Sequence, residues 1–271
     1  MTDDAREQEV QDETEVVEAA RLSAWQIYEV IRRDGEEELE RPTLSLLWSG
    51  TAAGILISFS VLGEAFFNAR LPDTQWSTLI GSMGYTAGFL IVILGRMQLF
   101  TENTITTILP LSHTPSRYCL PVLRLWLLVF GANMIGTTIA AAFIAYSNVL
   151  IPEYFEAVLD ISRHVAHLSA GETLLRGIPA GILIAAIVWM LPSSSGAGTF
   201  LVIFLFTYLI ALGEFTHVIA GSVEVGVLVF NGEIGIGAAV FGFIAPAFAG
   251  NVIGGTAVFA LLARRQVAKE L

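Results

Sequence analysis

Residues 213–222, GEFTHVIAGS, interrupt an apolar stretch that runs from Phe200 to Phe230. They place a carboxylate (Glu214), an imidazole (His217) and two glycines where a membrane-spanning helix would carry apolar side chains. Ionisable groups and open backbone at bilayer depth are costly, and they are tolerated only inside protein or beside water. The stretch therefore reads as a broken helix whose break faces a cavity.

The rest of the composition agrees. The chain has 271 residues, of which 54% are hydrophobic and 14% charged, with a mean hydropathy of +0.68. A soluble domain carries about 25% charged residues. Several apolar runs are long enough to cross about 30 Å of hydrocarbon as helices, and they lack the alternation of a β-barrel strand. The fold class is an all-α membrane protein. The formal charge of -11 is uneven, because residues 1–40 hold 14 of the 25 acidic side chains and 4 of the 14 basic ones. Residues 1–40 are read as an acidic cytoplasmic segment, 41–265 as the transmembrane channel domain and 266–271 as a cytoplasmic tail. Within the first segment, residues 21–33 place Leu22, Trp25, Ile27 and Ile31 at helical spacing. That predicts a short amphipathic helix on the membrane surface or against a neighbouring subunit, ended by DGEEELER and Pro42. The acidic N-terminus has no apolar run, so no secretory signal peptide is expected. Cys119 is alone, which excludes an intrachain disulfide and leaves no metal site.

Six spans are predicted at 44–67, 78–99, 120–150, 171–191, 198–231 (interrupted) and 234–263. An even number puts both termini on one side. Arg32, Arg33, Arg41, Arg117, Arg264, Arg265 and Lys269 gather there, so the positive-inside rule places both termini in the cytoplasm. Three short matches recur in order in the two halves. AGILI at 53–57 returns at 180–184, LGRMQLFTEN at 94–103 corresponds to LGEFTHVIAG at 212–221, and ANMIGTT at 132–138 to GNVIGGT at 250–256. Each half holds three spans, an odd number, so the halves have opposite polarity. The result is an inverted 3+3 repeat with helices 2 and 5 interrupted near the midplane, where such folds place their substrate.

LFTENT at 99–104, FTHVIAG at 215–221, GILIAAIVWM at 181–190 and NVIGG at 251–255 resemble the formate/nitrite transporter family over about residues 40–265. The resemblance implies an aquaporin-like protomer, a homopentamer in the bacterial inner membrane and one pore per protomer for a small monovalent ion. It places Leu99, Phe100 and Thr101 in the constriction loop, Tyr85 and Ile210 at an outer constriction and Phe89 at an inner one. Thr101 would face His217 across the pore centre. The chain departs from the family pattern in having Gly221 and Gly181 where anion-conducting members carry Asn, and Val165 in place of a vestibule Lys.

The polar residues of the spans carry the choice of function. His217 is the candidate midplane gate, since an imidazole can hydrogen-bond an anion or share a proton near neutral pH. Arg96 and Glu214 hold equivalent places in the two repeats and are expected either to form an intramembrane ion pair or to line the pore. Glu102 is expected at the cytoplasmic mouth or bonded to loop amides. Glu64 and Glu224 read as interfacial or inter-subunit residues, and Thr216 as a helix cap. Asn133, Asn251, Gly54 and Gly181 read as helix-packing positions. With no nucleotide-binding loop, no HExxH and no cofactor site, the chain reads as a conduit rather than a pump or an enzyme. Its expected partners are a small monovalent ion, membrane lipid and copies of itself, with no nucleic acid. The alternative on the same fold is a cation or small-solute channel, because Glu102 and Glu214 stand in the loops.

Overall fold

The computed structural model describes residues 22–72 and 74–268. Most of the expected acidic segment and the last three residues lie outside these. All regular structure among the described residues is helical. In chain order the helices are α1 (Ala24–Glu40), α2 (Thr43–Asn68), α3 (Ser77–Leu94), α4 (Phe100–Thr106), α5 (Ile108–His113), α6 (Pro115–Tyr146), α7 (Pro152–Ala166), α8 (Ala170–Ser193), α9 (Ala197–Leu212), α10 (Val218–Phe230) and α11 (Ala238–Val267). Five of them, α2, α3, α6, α8 and α11, are long and apolar enough to cross a membrane, while α9 and α10 are shorter apolar helices on either side of residues 213–217.

Helix α1 starts at a capping box, in which the Ser23 hydroxyl accepts from the Gln26 amide and the Gln26 side chain accepts from the Ser23 amide. It runs seven residues beyond the expected end at Arg33, through the acidic run to Glu40. Two features allow this. Arg32 pairs with Glu29 at 2.7 Å and with Glu36 at 2.6 Å, and Gly35 is buried where a Cβ would strike the Thr106 carbonyl. Pro42 then stops the helix. The expected site on the membrane surface or on a neighbouring subunit also needs correcting. Tyr28 and Ile31 are buried in one cluster with Ile105, Leu109, Val188 and Val267, so α1 docks on its own chain beside the end of α11.

Two close helix pairs hold the body together. Helix α2 lies along α6, and α8 along α11. A Cβ on Gly54 would meet the Asn133 carbonyl, and one on Gly136 the Thr51 carbonyl; in the other pair Gly181 faces the Asn251 carbonyl and Gly254 the Ile178 carbonyl. Small residues at both crossings let backbones touch, which is how helices associate where lipid removes the hydrophobic drive. Helix α11 accommodates its crossing with two π-helical stretches, Ala238–Ile244 and Ile253–Ala260. Trp48, Leu120, Leu127 and Phe241 are exposed on the outside, as a lipid- or subunit-facing surface requires.

Gly54→Val and Gly181→Val should each destabilise the protein by at least about 1–3 kcal/mol through overpacking. Gly131→Val, at a position where a Cβ meets nothing within 4 Å, is the matched control. Tryptophan-fluorescence melting of detergent-purified protein reads the difference, and equal melting of all three variants would contradict the packing argument.

Candidate functional site

The two interruptions are built alike. Arg96 and Glu214 both have φ of 50°. The amides of Arg96 and Met97 donate to the Ile93 and Val92 carbonyls, and those of Glu214 and Phe215 to the Ala211 and Ile210 carbonyls, all at 2.9–3.1 Å. Each is a Schellman closure whose left-handed position is held by a residue other than glycine, at a cost of about 1–2 kcal/mol. Leu99 and His217 then have nearly equal extended conformations (φ -103°, ψ 122° and φ -102°, ψ 118°) and start α4 and α10.

One asparagine secures each break. The Asn133 carbonyl oxygen accepts from the Phe100 amide at 2.9 Å, and its Nδ2 donates to the Gly50 and Gln98 carbonyls at 2.8 and 2.9 Å. Asn251 accepts from the Val218 amide at 2.9 Å and donates to the Gly177 and Thr216 carbonyls at 2.9 and 2.8 Å. Both are fully buried. Each therefore satisfies two backbone groups of its break, one amide and one carbonyl, and ties them to a carbonyl of the crossing helix, Gly50 of α2 or Gly177 of α8. The Thr216 hydroxyl bonds to the Thr173 carbonyl of α8 at 2.6 Å rather than capping α10.

The cap of α10 is His217 itself. Its Nδ1 lies 3.3 Å from the Ala220 amide. An amide only donates, so Nδ1 accepts, and the neutral ring carries its proton on Nε2. That proton points at the Thr101 hydroxyl, 2.8 Å away. The ring is 1% exposed, and the Phe89 ring meets it edge-on at 4.9 Å.

A cavity approaches this pair from each side. The proximal cavity, on the side of α1, measures about 710 Å³ and is lined by Leu99, Glu102 and Arg96, with Asp34, Glu37 and Glu38 of α1 in its wall. The distal cavity measures about 320 Å³ and ends on His217; Tyr85 and Ile210 line it, with Val165, Gly221 and Phe243. Thr101 and Phe89, which contact His217, line neither.

The structure separates Arg96 from Glu214, so the expected ion pair does not form. Arg96 faces the proximal cavity, whereas the Glu214 carboxylate in the distal cavity bonds to Arg176 at 2.6 Å and His164 at 3.2 Å. The two matching positions face different cavities. Phe100 also departs from its expected pore position. Its ring stacks on Phe248 at 4.9 Å and packs against Trp126 and Phe130, and only its amide serves the break. Arg163 turns away from the distal cavity to Glu233, Glu156 and Asp160. Glu102 leaves Oε1 buried without a hydrogen-bond partner. Glu64 and Glu224, read from the sequence as interfacial or inter-subunit residues, both line the distal cavity. The available signal was spacing, since positions 217, 221 and 224 recur on one helical face.

The model of the formate/nitrite transporter family matches residues 25–264. The chain belongs to the formate/nitrite transporter family. It is 42% identical over 249 residues to the Escherichia coli (strain K12) inner membrane protein YfdC, covering 92% of this chain and 80% of that one. Among solved structures it resembles a formate/nitrite transporter family (FNT) ion channel with a TM-score of 0.80 at 14% identity, over 89% of this chain and 98% of that one. A pentameric formate channel with formate bound gives 0.71 at 18% identity, over 84% and 98%. The family is one of transporters and channels, so this chain is not an enzyme, and its fold is the fold of these channels.

Asn133→Ala and Asn251→Ala should each lower stability by about 2 kcal/mol or more, because each orphans two buried backbone groups of a break at roughly 1–3 kcal/mol apiece. Hydrogen exchange should rise at Phe100 in the first variant and at Val218 in the second. Exchange unchanged at those amides would remove the clamp from the account.

Proposed function

We propose that the chain forms one pore per protomer of a homopentamer in the bacterial inner membrane. Through it a small monovalent anion of the formate or nitrite type, or its conjugate acid, crosses at His217. The observation that carries this reading is the 2.8 Å bond from His217, which lines the distal cavity, to Thr101, two residues from Leu99 in the wall of the proximal one. Family membership supports the substrate class, and the pentameric formate channel supports the assembly. YfdC, named as an inner membrane protein, supports the location. The paired Schellman closures, asparagine clamps and glycine crossings support six spans arranged as an inverted 3+3 repeat of aquaporin-like form, over 41–265. With both termini in the cytoplasm by the positive-inside rule, the proximal cavity opens inward and the distal one outward.

The gate works through the two bonds of the imidazole. A passing acid or anion displaces the Thr101 hydroxyl from Nε2–H and takes its place. Protonation of Nδ1 requires loss of the Ala220 amide bond, so a charged ring uncaps α10. The ring is thereby held neutral while a substrate passes.

A cation-selective pore is the second reading, and one observation favours it. Asp34, Glu37, Glu38 and Glu102 face the proximal cavity against Arg41 and Arg96, while Glu64, Asp160, Glu214 and Glu224 face the distal one against Arg176 and His164. Carboxylate linings select cations. Reversal potentials under formate, nitrite and chloride gradients, and then under sodium and potassium gradients, discriminate. Potentials that follow the anions or their acids sustain the first reading, and potentials that follow sodium or potassium replace it.

His217→Asn, which moves the donor away from Thr101, should lower flux into liposomes and leave its pH dependence unchanged, because the ring stays neutral in the wild type. Thr101→Val, which removes one hydrogen bond of about 1 kcal/mol, should raise flux roughly fivefold. Wild-type flux in both variants would take this pair out of the mechanism.

A further inference from the structure

We propose that Gln98 is the positioning residue for the central hydrogen bond of the pore. Through Asn103 it fixes the turn of α4 that aims the Thr101 hydroxyl at His217, and Glu38 of α1 fixes Gln98 in turn. The proposal deepens the pore reading above and rests on it.

Gln98 precedes Leu99 in the first break and is 5% exposed. Its four polar groups are all bonded, each to a different helix. The amide donates to the Ser49 hydroxyl of α2 at 3.0 Å, and the carbonyl accepts from Asn133 of α6 at 2.9 Å. In the side chain, Nε2 donates to the Glu38 carboxylate of α1, and Oε1 accepts from Asn103 Nδ2 of α4 at 3.2 Å. A carboxylate only accepts, so Glu38 decides which way round the Gln98 amide lies. Without Glu38 the amide is free to turn over and set its NH2 group against that of Asn103, and the second bond goes with the first. Thr101 and Asn103 stand two residues apart at the start of α4. That helix has seven residues, too few to hold its place without outside contacts.

The second break is held differently. Thr216 occupies the equivalent place in LGEFTHVIAG. Its amide donates to the Arg176 carbonyl at 3.3 Å, its carbonyl accepts from Asn251 at 2.8 Å, and its hydroxyl donates to the Thr173 carbonyl at 2.6 Å. Its side chain is thus tied to α8. The Gln98 side chain reaches instead to α1, which precedes both repeated stretches. Helix α1 is itself registered on α6, where the Tyr118 hydroxyl donates to Glu36 at 2.8 Å and Arg124 donates to the Arg41 carbonyl at 3.2 Å. The Thr101 side of the central bond therefore depends on α1, whereas the His217 side is anchored by α8 and α11.

The test measures formate flux at pH 8 into liposomes carrying the full chain, with protein-free liposomes as background. Gln98→Leu removes both side-chain bonds and should raise flux roughly fivefold, as Thr101→Val does, because each frees His217 from Thr101. Combining Gln98→Leu with Thr101→Val should give no more flux than Thr101→Val alone, since residues that act through one contact do not add. Gln98→Glu sets two carboxylates against each other and should also raise flux. Glu38→Gln added to it exchanges donor and acceptor, keeps both bonds and should return flux to within about twofold of wild type. Tyr118→Phe, which loosens α1 away from Gln98, should leave flux unchanged. Melting temperatures identify a variant that does not assemble, and the exchanged pair carries the test where Gln98→Leu fails to do so. Wild-type flux in Gln98→Leu, a further gain on combination with Thr101→Val, an exchanged pair as fast as Gln98→Glu, or Tyr118→Phe as fast as Gln98→Leu overturns the proposal and leaves the pore reading standing. Wild-type protein that carries no formate above background overturns both.

Discussion

The structure depends on satisfying backbone at two places where helices stop inside the membrane part of the chain. An open amide or carbonyl there has no water to turn to. Asn133 and Asn251 answer this need with the same three bonds each, two to the break and one to the helix that crosses their own. The asparagines reach their targets because glycines at the α2–α6 and α8–α11 crossings bring the backbones together. Crossing, clamp and break thus form one unit, and the chain contains it twice.

That unit positions the chemistry. With Val218 N–H bound to Asn251, the chain leads His217 into the cap of α10, and the cap fixes which ring nitrogen carries the proton. The other break delivers Thr101 to meet it. The two halves also diverge where function differs. Leu99 and His217 occupy equivalent places, yet the former is an apolar wall of one cavity and the latter the polar floor of the other. Arg96 and Glu214 are turned out by the same left-handed conformation into opposite cavities.

Much was legible beforehand because bilayer physics leaves few options. Long uncharged runs declare spanning helices, and the repeated AGILI, LGR/LGE and N-x-I-G matches located both breaks and both packing asparagines. The meeting of Thr101 with His217 followed from the family resemblance. What stayed hidden is rotational. Whether Phe100 points to a pore or to Trp126 and Phe248 depends on the turn of a seven-residue helix about its axis, which one apolar neighbourhood does not encode. Glu64 and Glu224 looked peripheral for a similar reason, since each stands alone on its helix and only the assembly brings them to one cavity. The length of α1 was misjudged because Gly35, a helix weakener by propensity, is needed for contact with Thr106.

The sequence by itself determined the class of fold and the two breaks, because hydropathy, helix length and backbone satisfaction act locally and are written in residue order. The tertiary structure decided which charges meet. Glu214 finds Arg176 and His164 rather than Arg96, because side-chain partners are set by helix rotation and by the mouth each break faces. Those are properties of packed helices, and no single stretch of chain contains them.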